Sequence, residues 1–173
     1  MKVLVCAAGR HGSTADIASR IGAAIRAGLP RDAVVDVLGA SEVDDTASYD
    51  SVVLGSAIYM GRWLADARAV AQRIATQPRR PVWLFSSGPM GDPPQPAEEP
   101  AEVADLVERT HARGHRVFAG RLDRHRLGFA EKALVSALRV ADGDDRDWEE
   151  IDAWGAQIAT DIGRIADVAG RTR

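Results

Sequence analysis

A short apolar run that breaks into a glycine-containing loop, and then into a helical pattern, constrains this chain more than any other stretch. The run extends from Val3 to Ala8, the loop holds Gly9 and Gly12, and the helical pattern begins at Ser13. The first N–H groups of a helix have no intrahelical partner and carry partial positive charge, so an anion binds there readily. The stretch predicts either a phosphate-binding loop or an ordinary strand-to-helix turn.

Length and composition limit the fold and the functional class. The 173 residues, 46% of them hydrophobic, suffice for one core, and no linker-like stretch divides them, so we expect one domain over residues 1–173. The formal net charge of −3 gives no basic field for nucleic acid. The single cysteine, Cys6, excludes an intrachain disulfide and fits a reducing compartment. Because the sequence has no signal-peptide pattern and no membrane-spanning apolar run, we expect a cytoplasmic location.

Apolar runs alternate with helical patterns along most of the chain. Strands are predicted over residues 3–8, 33–38, 49–56, 82–86 and 116–122. Helices are predicted over residues 13–28, 62–76, 100–112, 129–140 and 147–166. This alternation predicts an α/β protein with a parallel sheet covered by helices on both faces, a three-layer α/β/α sandwich.

Three loops follow strands whose carboxyl ends meet at one edge of such a sheet, where ligands bind in open α/β folds. The first loop, residues 8–14, suits a phosphate. The second, residues 56–62, offers an aromatic side chain and a methionine, and the third, residues 86–92, combines small residues with a proline and a methionine. A phosphate site beside flat apolar surfaces predicts a mononucleotide with a large ring system.

Five segments, taken in order, carry a likeness to a known family: Gly12–Ala18, Tyr49–Gly61, Phe85–Pro89, Ala119–Leu122 and Asp147–Trp148. They resemble the flavodoxin-like proteins, and within them the group similar to menaquinone-dependent protoporphyrinogen dehydrogenase. The resemblance covers nearly the whole chain. It implies a five-stranded parallel sheet of order 2-1-3-4-5 and FMN as a non-covalently bound cofactor.

The resemblance also implies which residues hold the cofactor. The phosphate would be bound by Arg10, His11, Gly12, Ser13 and Thr14. One side of the flavin ring would be covered by Ser56, Ala57, Ile58, Tyr59, Met60 and Gly61, with Tyr59 as the expected stacking residue. The other side would be covered by Ser86, Ser87, Gly88, Pro89, Met90 and Gly91. Hydroxyl residues usual in the family pattern are replaced here by Ala8, Gly9 and His11, so we expect fewer phosphate hydrogen bonds.

The activity that the resemblance implies is an FMN-dependent oxidation of protoporphyrinogen IX or a similar reduced substrate, with electrons passed to a quinone. Arg62, directly after the second loop, favours two-electron chemistry because a positive charge stabilises a reduced, anionic flavin. The alternatives are a flavodoxin-type electron carrier that docks a redox partner, and a domain that has lost its flavin. Basic and apolar residues between Leu122 and Val140 indicate either peripheral membrane contact or a packed core helix. No catalytic acid or base and no metal site is assigned.

Overall fold

The computed structural model describes residues 1–88, 101–122 and 143–171. Within these residues, five parallel strands form the central sheet: β1 (Lys2–Ala8), β2 (Val34–Gly39), β3 (Ser51–Tyr59), β5 (Val82–Ser87) and β6 (Gly114–Phe118). A short strand, β4 (Arg62–Trp63), pairs with the end of β3. The order across the sheet is β2-β1-β3-β5-β6. This confirms the predicted order 2-1-3-4-5, since β4 lies off the main path.

The helices of the described residues lie on both faces of the sheet. They are α1 (Ser13–Gly28), α2 (Ala65–Thr76), α3 (Ala101–Thr110) and α4 (Trp148–Arg171), with a single 3₁₀ turn at Ala40–Glu42. One apolar cluster packs α1 and α4 against the sheet, and a second packs α2 and α3 against the opposite face. The strands β1, β3 and β5 are buried on both faces, which is why their sequences are continuous apolar runs without alternation.

The segment after Ser56 differs from the expectation of an apolar loop. Strand β3 continues to Tyr59, the chain turns at Met60 and Gly61, and β4 returns antiparallel with Ile58 opposite Trp63. Helix α2 consequently begins at Ala65 and not at residue 62. The second loop of the predicted site is therefore a β-hairpin, which holds its residues more firmly than an irregular loop would.

The predicted strand over residues 116–122 is also two separate elements. Strand β6 ends at Phe118, and β7 (Arg121–Leu122) pairs antiparallel with β8 (Gly143–Asp144) outside the main sheet. The helix predicted over residues 129–140, and the membrane contact suggested between residues 122 and 140, lie outside the described residues. No helix in the described part of the chain is long and apolar enough to cross a membrane.

Candidate cofactor site

The loop between β1 and α1 has the shape of an anion cradle. Gly12 precedes the helix with a φ of 89°, in the left-handed region, and no side chain caps the helix start. The Asp16 N–H donates to the Gly12 carbonyl at 2.9 Å, so the amides just before Asp16 point out of the helix end. A Cβ on Gly9 would lie 2.9 Å from both Cβ and Oγ1 of Thr14. The close approach of the loop to the helix therefore favours glycine at position 9, and the first amides of α1 have no side-chain cap, an arrangement that suits an anion.

The two hydroxyl residues of this loop have different surroundings. Ser13 Oγ accepts the backbone N–H of Arg121 at 3.1 Å, and the same hydroxyl can still donate its own hydrogen. Thr14 is buried directly beneath Gly9. The Ser13 hydroxyl is thus the side-chain donor that best fits a phosphate oxygen, whereas Thr14 would contribute through its backbone N–H.

Arg10 connects the first loop to the second. Its guanidinium lies 4.0 Å from the centroid of the Tyr59 ring, within cation–π distance. Tyr59 is the last residue of β3 and pairs with Arg62 across the hairpin. Arg10 was predicted at the phosphate and Tyr59 at the flavin ring, and the structure brings these two residues into direct contact.

The hairpin tip is strained and exposed. Met60 and Gly61 have φ values of 50° and 72°, the positive pair found in two-residue hairpin turns whose twist matches the strands. A positive φ is unusual for methionine, and the Met60 residue is 83% exposed. A Cβ on Gly88, after β5, would lie 3.6 Å from the backbone nitrogen of Ile58. The third loop therefore begins directly beside the hairpin, and the predicted ring site lies where the two meet.

Two serines predicted at the flavin ring are structural. Ser56 is fully buried; its Oγ donates to the Ala57 carbonyl at 2.8 Å and accepts the Leu64 N–H at 2.9 Å. Ser86 is equally buried, and its Oγ accepts the Trp63 Nε1–H at 2.9 Å. Their side chains anchor the hairpin to the sheet, so a contact from either residue to a cofactor would have to come from its backbone. The predicted residues Pro89, Met90 and Gly91 lie outside the described residues.

A half-buried histidine that the sequence did not single out lies next to the same site. His115 Nε2, on β6, is 3.0 Å from Ser86 Oγ. Burial lowers the pKa of His115 to about 4, because an imidazolium ion is poorly solvated there. His115 is therefore neutral at physiological pH and links β6 to the hairpin through Ser86.

We expect the stability of the protein to fall in acid because of His115. The pKa of His115 in the folded protein is below the unfolded value of about 6.5, so below pH 6.5 the unfolded chain binds a proton more readily than the folded one. The contribution of neutral His115 to the free energy of unfolding is therefore complete above pH 6.5 and is lost as the pH falls towards 4. Allowing for solvent screening, the loss is about 1–2 kcal/mol. Urea unfolding at pH 7 and pH 4.5 measures it. His115→Gln, which does not titrate, is the control and should lose less stability between the two pH values than the wild type; an equal loss would contradict the assignment.

Cys6 lies away from the candidate cofactor site, on the buried strand β1. Cys6 lies in the core, where burial raises the pKa of its thiol to about 12, so it is a packing residue. Among the described residues, no group of three or more histidine, cysteine, aspartate or glutamate side chains is arranged to hold a metal ion.

Comparison with known proteins identifies the family. The family model described as "Flavodoxin domain" matches residues 4–149, most of the chain. The chain belongs to the flavodoxin domain family. FMN is the cofactor that this family indicates. No curated protein matches the sequence.

Solved structures agree with the flavodoxin fold at low sequence identity. A flavodoxin from the domain Archaea is 18% identical, with a TM-score of 0.63 over 94% of this chain and 99% of that one. Oxidised flavodoxin 1 from Bacillus cereus is 13% identical, with a TM-score of 0.62 over 92% and 98%. A flavone reductase is 12% identical, with a TM-score of 0.60 over 96% of this chain but 64% of its own. At these identities the likeness concerns the fold alone.

The residues present fit the cofactor of a flavodoxin domain. The uncapped start of α1 and the close approach of Gly9 to Thr14 match the needs of a phosphate group. Tyr59, half-buried at the end of β3, offers an aromatic face beside the loop that begins at Gly88. The individual cofactor contacts nevertheless stay predictions.

Proposed function

We propose that this flavodoxin domain is an FMN-dependent oxidoreductase that favours the transfer of electrons in pairs. The observation that carries the proposal is the Arg10 guanidinium 4.0 Å from the Tyr59 ring, with Arg62 paired to Tyr59 across the hairpin. Two positive side chains thus flank the residue expected to stack on the flavin.

The electrostatic reason is direct. Bound FMN supplies the redox chemistry, while the protein sets its position and local charge. With Arg10 over one face of Tyr59 and the flavin stacked on the other, charge and ring would be about 8 Å apart, where a unit positive charge stabilises a unit negative charge by about 2 kcal/mol at an effective dielectric constant near 20. Arg10 and Arg62 would therefore stabilise negative charge that develops on a reduced ring. The same arginines orient a ligand by pairing with its anionic groups.

For the substrate, we propose protoporphyrinogen IX or a similar reduced molecule, with a quinone as the acceptor. The motif resemblance described above supports this substrate, and the similarity to a flavone reductase supports an enzymatic use of the fold. Exposed Met60 and Arg62 at the hairpin offer an apolar contact beside a positive charge, which suits a flat apolar substrate with acidic groups.

A flavodoxin-type electron carrier is the second candidate. Two flavodoxins match the fold of this chain over nearly their whole length, which supports the use of this domain as an electron carrier. Met60, exposed at the hairpin tip, would then contact a redox partner protein and not a small molecule.

Anaerobic reductive titration of the FMN-loaded protein separates the two candidates. If the protein transfers electrons in pairs, the absorption of the oxidised flavin should bleach in one step, with little absorption from a flavin radical. Arg10→Gln should increase the radical yield, whereas Arg10→Lys, which keeps the charge, should change it less. A high radical yield in the wild type would favour the carrier.

The substrate is tested separately by mixing the FMN-loaded protein with protoporphyrinogen IX and menaquinone without oxygen. Appearance of porphyrin fluorescence that depends on both FMN and the quinone supports the proposed reaction. No fluorescence above the protein-free rate would exclude this substrate and leave FMN binding unaffected.

A further inference from the structure

A cluster of charged side chains around the buried Arg146 lies against the first turn of α1. Arg146, just after β8, donates from Nε and Nη2 to both carboxylate oxygens of Asp144, at 2.6 and 2.5 Å. Its Nη1 donates to Asp16 Oδ2 at 3.0 Å, and its guanidinium lies 4.3 Å from the Trp148 ring centroid. The Arg146 side chain is only 3% exposed. Hydrogen bonding from Arg146 also holds the pKa of Asp144 below its usual range.

Arg121 joins this cluster to the predicted phosphate residues. Its Nη1 is 3.6 Å from Asp16 Oδ2, and its backbone N–H donates to Ser13 Oγ. Two arginines and two aspartates therefore meet at the helix start, and their formal charges cancel. Without Arg146, the cluster would carry one net negative charge within a turn of the phosphate loop.

The charge of Asp16 matters because of its position in α1. Ser13 is the first helical residue and Asp16 the fourth, so their Cα atoms are separated by less than one helical turn. A carboxylate in the first turn normally benefits from the helix dipole, but a bound phosphate would compete for the same positive end. The Asp16 side chain is 48% exposed, and Arg146 and Arg121 contact it from the β7–β8 side.

We propose that Arg146 is a positioning residue that lets the first loop distinguish FMN from unphosphorylated riboflavin. The inference rests on the proposed placement of the FMN phosphate at the start of α1. Arg146 neutralises Asp16 and, together with Arg121, fixes the helix start against β7 and β8. Its effect is directed at the phosphate and not at the flavin ring, which lies on the hairpin side.

The test compares the dissociation constants of FMN and riboflavin, measured by fluorescence quenching, for the wild type and four variants. Arg146→Gln should weaken FMN binding about tenfold and leave the dissociation constant of riboflavin within about threefold of the wild-type value. Asp16→Asn should tighten FMN binding about threefold, because the cluster then carries a net positive charge. The double variant Asp16→Asn, Arg146→Gln restores neutrality and should bind FMN within about threefold of the wild type.

Arg146→Lys is the matched control, since it keeps the charge but loses the bidentate hydrogen bonding to Asp144. It should bind FMN more tightly than Arg146→Gln does. At high salt, the difference in FMN affinity between the wild type and Arg146→Gln should become smaller, because salt screens the electrostatic effect of Arg146.

Several outcomes would overturn the inference. An equal loss of FMN and riboflavin binding in Arg146→Gln would indicate a general structural role. A double variant as weak as Arg146→Gln would exclude charge neutralisation. If Arg146→Gln does not fold, Asp16→Asn still decides, because unchanged or weaker FMN binding there contradicts the proposal. Each of these results leaves FMN binding by the wild type intact, whereas a wild type that binds no FMN would overturn the proposed function as well.

Discussion

Gly12→Val is expected to weaken FMN binding at least about 100-fold. Gly12 has a φ of 89°, and its carbonyl accepts the first intrahelical hydrogen bond of α1, from Asp16. A β-branched residue strongly disfavours the left-handed region, so the loop would reorient and the outward-facing amides would leave their positions. Fluorescence titration with FMN measures the effect, and thermal unfolding shows whether the variant remains folded.

Gly12→Asn separates backbone conformation from side-chain size. Asparagine tolerates the left-handed conformation better than other residues with a Cβ, so it should retain more affinity, with a loss of about tenfold. If valine and asparagine at position 12 bound FMN as tightly as glycine, the first loop would not be the phosphate site. The structural alternative, an ordinary strand-to-helix turn, would then hold.

Gly55→Ala is expected to lower the free energy of unfolding by about 3 kcal/mol. Gly55 on β3 lies opposite Phe85 on β5, and an added Cβ would lie 2.0 Å from Cζ of that ring. The Phe85 ring has little room to move, because its centroid is 6.1 Å from that of Phe118 and 6.3 Å from that of Trp154. The substitution therefore strains the core between the sheet and α4.

Urea unfolding of Gly55→Ala beside Gly163→Ala gives this prediction a matched control. A Cβ on Gly163, in α4, would meet nothing within 4 Å. Because alanine is the better helix former, Gly163→Ala should be neutral or up to about 1 kcal/mol more stable. Equal stability of the two variants would show that the Phe85 ring can yield to the added methyl group.

The centre of the sheet was predictable from the sequence because its three central strands are buried on both faces. The continuous apolar runs of β1, β3 and β5 gave their positions, and the order of elements gave the right-handed parallel arrangement. The glycines at positions 9 and 12 located the first loop, because their conformational demands are local. These features depend on short-range chemistry that a single sequence displays.

The hairpin and the β7–β8 pair were not predictable in the same way. The turn at Met60 and Gly61 needs two positive φ values, but methionine is not a typical residue for the first of them. Pairing of Arg121 with Asp144 joins residues distant in sequence, and each strand has only two residues. Elements of two residues are too short to show hydrophobic periodicity.

The charge cluster around Arg146 was missed for a related reason. In sequence, Arg146 lies among acidic residues between two predicted helices, over residues 129–140 and 147–166. Only the tertiary fold brings it against Asp16 at the start of α1 and buries its side chain. The Ser86 and His115 contact was likewise hidden, because it depends on the register between β5 and β6.

Titration of the apoprotein with FMN, followed by flavin fluorescence, measures cofactor binding itself. We expect saturable quenching with one FMN per chain, and tighter binding of FMN than of riboflavin because of the proposed phosphate site at the start of α1. The absence of saturable quenching at high micromolar FMN would contradict FMN binding itself. Equal affinity for FMN and riboflavin would contradict the placement of the phosphate at the first loop.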